Sequence, residues 1–556
     1  MKNILTVLLF FFICSQFLFS QNWQSYPYAP ANSVLNFPSD DGKHTGTATT
    51  TEWWYLNLHL VGSAPGFKKY DVMLCYFAKP AVMRIFNVST PGNGVFHTDV
   101  NQTPLVLTEQ TGHWELNYTI LPSINDYSKW TYPTDNKTFS YVFHAVSTTN
   151  NDALDITLNG NRPPLVVGGN GFIAIGEHGD SSFYYSNTNM KVQGSIKFSG
   201  VKDSISSGIG WIDRQYGPFT VGTNANNYYE WYSIQMDKPN ATLGTPQTPS
   251  EFNVWQIFND TNSIPFDAAS RMVSGIFPDG AQDTSSTYIW ERTGYWHDAV
   301  NNKYYSQGWR FINPAKGLNL DMTPSIANQV INVTLFKFWE GGTTLKGTIG
   351  NQPVDGVGFA ELVAGHNTMI NVPSVPAGLA VTAYSDHNAL SWSASTAGSY
   401  PIGGYRIFRS PTNDGHWEYI ASTSNLTYDD FSANTTNGYY YTVTSFDSQS
   451  AKSASSYATA VWVDPFGTGV NSIFRENNSI RIFPNPAGNQ TNIYIADYSA
   501  KNKTTLELLS VDGKLLKSIS IQDKTTVLDI SELSSGIYIL KVTDNNGVVV
   551  RKISKK

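Results

Sequence analysis

Apolar and polar residues alternate along most of the chain with a period of two, in runs of five to ten residues broken by Pro, Gly and Asn. Such runs are Glu52 to Leu60, Tyr70 to Phe77, Phe139 to Ala145, Phe183 to Lys191, Tyr228 to Met236, Glu251 to Phe258 and Val330 to Trp339. None holds a helical period, so the pattern predicts an all-β protein. Evenly spaced strands and turns between residues 51 and 366 suit closed barrels, which leave no bare sheet edge and can enclose an apolar ligand. Alternation also sorts side chains. Along Gly208 to Gly217, Trp211, Asp213 and Gln215 should share one face, and Ile212, Arg214 and Tyr216 the other.

The pattern changes character at three places. Residues 1–20 hold Lys2 and an apolar run from Ile4, shorter than the roughly 18–20 residues that span a bilayer, and predict a secretory signal peptide. No transmembrane segment is expected in the mature chain. Pro373 to Leu379 predicts an exposed inter-domain linker with few contacts. Residues 465–479 predict a flexible join before a final small strand-rich module. The expected layout is one domain over 21–220, a second over 221–370 with a junction near Pro218 to Asn227, a third over 373–464 and a fourth over 480–556.

Composition narrows the function. Of 556 residues 14% are aromatic and only 14% charged, with a net charge of -7 and no basic run before the end, which argues against nucleic acid as a partner. Beyond the predicted signal, Cys75 is the remaining cysteine; it lies in an apolar strand run, where an inert core thiol is expected and no intramolecular disulfide can form.

The ten histidines are scattered without a zinc spacing, and neither a Gly-x-Ser-x-Gly elbow nor a phosphate-binding Gly-Lys-Ser/Thr occurs. Neither metal nor other cofactor is expected. Gly168 to Gly171 reads as a turn and Glu177 to Asp180 as a solvated hairpin. What remains is Asp213 among aromatics. A carboxyl buried by apolar walls stays protonated near neutral pH and can serve as a general acid. Trp211, Tyr184, Trp231 and Trp54 are candidates to line a site around it or to pack as core, Gln215 shares its face, and Glu52 is a candidate to line the site or to fasten a loop.

Three segments resemble the carotenoid 1,2-hydratase family: Phe37-Pro38-Ser39-Asp40 with His44 and Glu52-Trp53-Trp54-Tyr55; Gly208 to Gly217; and Glu340-Gly341 with Gly356 to Leu362. The resemblance covers about residues 34 to 366. It implies two tandem lipocalin-like β-barrel domains and an acid at Asp213 that protonates a double bond before water captures the cation, with Trp211, Tyr184, Trp231 and Trp54 to stabilise that cation and Gln215 to hold the water or the carboxyl. Where that family carries a His and a Trp, this chain has Phe183-Tyr184-Tyr185-Ser186-Asn187, which turns the expectation from carotenoids to another apolar unsaturated substrate, an isoprenoid, lipid or phenolic. A secreted protein that binds a hydrophobic ligand without chemistry is the alternative. Leu390-Ser391-Trp392, Tyr405 to Arg409 and Tyr440 to Asp447 resemble a fibronectin type III sandwich. Ile482-Phe483-Pro484-Asn485-Pro486, Leu509 to Lys514 and Leu533 to Tyr538 resemble the Ig-like C-terminal sorting domain of the type IX secretion system of Bacteroidetes. That implies the secretion machinery as a partner and a secreted or surface location.

Overall fold

The computed structural model describes residues 23–556 except 47, 103–104, 121–123, 132–138, 161, 176–179, 221–227, 237–249, 259–267, 277–280, 335–336, 364, 449–452, 467–479, 497, 500–503 and 545–546. The predicted signal peptide, the hairpin at Glu177-His178, most of the predicted junction after Pro218 and most of the 465–479 join lie outside the described residues.

Strands dominate, as alternation requires. Thirteen strands from Thr51 to Gly217 form one sheet, and ten from Tyr228 to Leu362 form another. Each is a meander whose first strand lies beside its last: Thr51–Gly62 pairs with Val201–Gly217, and Tyr228–Met236 with Gln352–Leu362. The outermost strands of the first sheet, Val95–Asn101 and Leu105–Glu109, follow one another in sequence, so it curls into a barrel whose seam falls between consecutive strands. The second sheet does the same at Gln282–Ser285 and Ile289–Arg292. The Val330 to Trp339 run departs from expectation, being a hairpin rather than one strand. Val330–Asn332 turns back on Lys337–Ile349, setting Val330 opposite Trp339.

Both barrel interiors are filled. Trp54, Leu56, Leu58 and Leu60 of the first strand pack inside the first barrel with Trp114, Tyr141, Phe143 and Ile212. Tyr232, Ile234, Val254, Trp309 and Trp339 fill the second. A third cluster lies between the barrels, where Tyr55, Trp211 and Tyr184 of one outer face meet Trp231, Trp255 and Phe359 of the other. The cause is legible in Thr51–Gly62, which is buried on both faces along most of its length. A strand that is apolar on both sides needs a layer on each.

Strands between Ala377 and Val463 form a sandwich of three and four strands around Leu390, Trp392, Ile407, Tyr441 and Val443, the fibronectin type III arrangement. The expectation of a loosely linked module needs correction, because this sandwich is docked on the second barrel. Arg406 Nε donates to Glu291 Oε1 at 2.6 Å, Arg310 Nη1 to Glu291 Oε2 at 3.2 Å, and Tyr457 OH to Asp321 Oδ2 at 2.5 Å. Asn319 Nδ2 donates to the Trp417 carbonyl at 2.8 Å, and Ile312, Phe408 and Trp417 form a buried apolar cluster beside it. Pro373 and Pro376 of the predicted exposed linker are themselves buried. The described residues up to Asp464 thus form one compact unit, and those from Pro465 on another.

The second unit is a small two-sheet sandwich cored by Ile493, Leu506, Leu508, Leu528, Leu540 and Ile553. No helix among the described residues is long and apolar enough to cross a membrane.

Candidate functional site

The Val201–Gly217 strand turns Trp211, Asp213 and Gln215 outward from the first barrel, into the seam between the two. Antiparallel register sets Asp213 beside Tyr55 on one side and Ser186 on the other. Asp213 is 3% exposed. Its Oδ1 accepts from Ser186 Oγ at 2.5 Å and Trp211 Nε1 at 2.6 Å, and its Oδ2 from Tyr184 OH at 2.6 Å. Asn253 of the second barrel backs these donors, its Nδ2 reaching Tyr184 OH at 2.8 Å and Ser186 Oγ at 3.2 Å. Burial pushes the Asp213 carboxyl up to about 7, although the three hydrogen bonds pull the other way.

Asp213 opens on a cavity walled by Trp53, Tyr55, Tyr184, Trp231, Trp255 and Phe219, with Gln215, Tyr229 and Glu361 also at its surface. A second cavity abuts it, sharing Trp53, Tyr55, Tyr229 and Glu361 and adding Met73, Cys75, Phe77 and Glu340. None of the residues lining either cavity is Lys, Arg or His. Burial raises the Cys75 thiol well above its ordinary value, so it stays neutral in the wall. Among the described residues no group of side chains is arranged to hold a metal.

The site therefore lies between the barrels, whereas the strand pattern led us to expect it within one. Of the residues singled out in the sequence, Asp213, Gln215, Tyr184 and Trp231 line the first cavity; Trp211 stands behind Asp213 and meets Trp231 edge-on, ring centroids 6.4 Å apart. Trp54 and Glu52 do not belong with them. Alternation puts both on the far side of the sheet, with Arg214. Trp54 stacks under the guanidinium, 4.0 Å from its carbon, and donates from Nε1 to the Asp41 carbonyl at 2.9 Å. Glu52 pairs with Arg214 and accepts from the His44 backbone N–H at 3.0 Å. Burial would push its carboxyl up, but Arg214 and His44 override that and hold it at about 2.

The sequence reading passed over Glu340, Glu361, Tyr55, Tyr229, Trp53 and Trp255. A signal for the glutamates was present. Ile349-Gly350-Asn351-Gln352 closes a two-residue hairpin in which Gly350 and Asn351 have φ of 56° and 61°, the left-handed pair of a type I′ turn. Counting outward from that turn brings Glu340 opposite Glu361. Tyr55 OH donates to Glu340 Oε1 at 2.6 Å, and Tyr229 OH to Glu361 Oε1 at 2.8 Å.

The family model described as AttH-like matches residues 28–366, and that of the secretion system C-terminal sorting domain matches 481–556. Among solved structures, a candidate AttH from Nitrosomonas europaea is 19% identical, with a TM-score of 0.46, covering 61% of this chain and 99% of that one. Kievitone hydratase from Nectria haematococca is 18% identical, with a TM-score of 0.43, covering 61% of this chain and 98% of that one. No curated protein matches the chain.

Proposed function

The chain belongs to the AttH-like family and ends in a secretion sorting domain, and on that footing we propose that it is a secreted hydratase-type enzyme acting on an apolar unsaturated small molecule in the seam between its barrels. The observation that carries this reading is a buried carboxyl, pushed up to about 7, at the wall of an aromatic cavity lined by no cation.

In this reading Asp213 gives its proton to one carbon of the double bond and is left as a carboxylate. The positive charge forms on the neighbouring carbon among the faces of Trp231, Trp255 and Tyr55, each contributing about 0.5–2 kcal/mol. Water adds to that carbon, and the proton it sheds restores the acid, so the net change is one water gained. Tyr184, Ser186 and Trp211 fix the carboxyl and hold its anion between protonations. Gln215 lines the same wall and positions the water.

Both Asp213 oxygens accept from protein donors, two on Oδ1 and one on Oδ2, which favours a second reading, in which the carboxylate is structural and the cavity only binds a hydrophobic ligand. Incubating the mature protein with a panel of isoprenoid and phenolic alkenes in ¹⁸O-labelled water separates the two. Turnover gives a product heavier by one labelled water, and Asp213→Asn lowers it about 10²-fold or more with affinity little changed. Recovery of every ligand unchanged favours the binding protein, and an Asp213→Asn variant with full activity removes this residue from the mechanism.

A further inference from the structure

Hydration through Asp213 leaves two buried acids without a task. Glu340 and Glu361 stand directly opposite each other on neighbouring strands, where side chains lie about 4.5–5.5 Å apart at Cβ. Both reach the seam between the barrels, and Glu361 lies where the two cavities meet. Each is tied by one oxygen to one tyrosine. Burial raises both carboxyls, and for Glu340 the neighbouring charge of Glu361 adds to it; Glu361 sits at about 7 and Glu340 well above its ordinary value. Two like charges so placed in an apolar seam are not both ionised, so the empty pair keeps a proton.

The surroundings suit positive charge. Trp53, Tyr55, Tyr229, Trp231 and Trp255 supply ring faces, and no cation among the lining residues neutralises the acids. A separate observation marks the cavity as a place for a ligand. Trp255 lines it, is 5% exposed, and its indole N–H has no acceptor in the described structure. A buried donor left open in a cavity wall is satisfied when an acceptor enters, here an oxygen of a bound molecule or of a water beside its charged group.

Resting on the reading above only for the use of the same cavity, we propose that the Glu340–Glu361 pair is a binding site for an apolar molecule bearing one positive charge. The pair releases its proton to solvent as the cation enters, so charge balances: one proton leaves and one ligand charge replaces it. In turnover the same charge would be the carbocation; in a resting complex it is a protonated tertiary amine.

The probe is N,N-dimethyl-2-phenylethylamine, protonated at neutral pH, set against its neutral isostere 3-methylbutylbenzene. Titration calorimetry on the full mature chain at pH 7, in two buffers of different ionisation enthalpy, reads affinity and protons released. The amine should bind at least about tenfold more tightly than the isostere and release part of a proton. Glu361→Gln should erase the preference. Glu340→Gln, which leaves one acid of the pair, should reduce the preference, and it decides the matter should Glu361→Gln not fold. Equal binding of amine and isostere overturns the proposal, as does a preference that survives Glu361→Gln or one that Glu340→Gln leaves unchanged. None of these outcomes depends on turnover, so a chain that hydrates alkenes yet ignores the amine refutes this site and leaves the Asp213 reading standing.

Discussion

Asp213 and Glu52, three residues apart in register on neighbouring strands, behave oppositely because a sheet has two faces. Asp213 looks into the seam, finds hydroxyl and indole donors but no cation, and stays near neutral charge. Its neighbour Arg214 looks into the first barrel and is wholly buried there. Arg214 Nη1 donates to the Trp53 carbonyl at 3.0 Å and Nη2 to the Gly42 carbonyl at 2.5 Å, with Glu52 balancing its charge. It thus clamps the segment around residues 41–44 onto the sheet. Arg214→Met keeps the volume but leaves Glu52 buried without its partner, which costs about 3–5 kcal/mol. Urea denaturation should show that loss, and a cost below about 1 kcal/mol would mean that the pair is not holding the segment down. Lysine would not substitute, since one ammonium cannot serve those separate acceptors from a planar fork.

At the scale of elements, the fibronectin type III sandwich behaves as a third layer of the two-barrel unit. It closes over Glu291, Arg310 and Ile312 of the second barrel, which would otherwise meet water, and Arg406 adds a second partner to Glu291. Ending the chain at 372 should lower the melting temperature of the barrels by several degrees relative to a chain ending at 464, consistent with about 2–4 kcal/mol of lost packing and ion pairing. Calorimetry of the two fragments checks this, and equal melting temperatures would show that the docked face contributes nothing. The sequence did not show the docking, because Pro373 to Leu379 has the composition of a free linker whether or not its ends are buried. Strands and their faces were legible, since alternation is local: it placed Trp211 with Asp213 and set Arg214 apart. Which outer face meets which was not, because the contact of Tyr55 with Trp231, ring centroids 5.4 Å apart, joins residues far apart in sequence. The Glu340–Glu361 pairing lay between these cases, fixed by a two-residue turn but requiring the register to be counted.

At the scale of the whole molecule, the site sets how stability responds to acid. Asp213 and Glu361 each titrate near 7 in the fold and Asp41 near 6, raised by burial above the unfolded values near 4. Such groups bind more protons folded than unfolded between about pH 4 and 7. The stability they contribute is fully present below the unfolded value and is lost as pH rises through the folded one. His366 acts against them: burial lowers it to about 3, so between about pH 3 and 6.5 the unfolded chain takes up a proton there and stability rises with pH. The carboxyls outnumber it, so stability should fall from pH 4.5 to 6.5. All 15 tryptophans precede residue 465, so their fluorescence follows the barrels and the docked sandwich without interference from the sorting domain. Urea denaturation read by that fluorescence should give a negative slope against pH. Asp213→Asn should make the slope less steep by up to about 1.4 kcal/mol per pH unit, the value for one proton. Parallel slopes for the two proteins would mean that Asp213 is already ionised in the folded state across this range, and an acid that holds no proton cannot protonate a double bond.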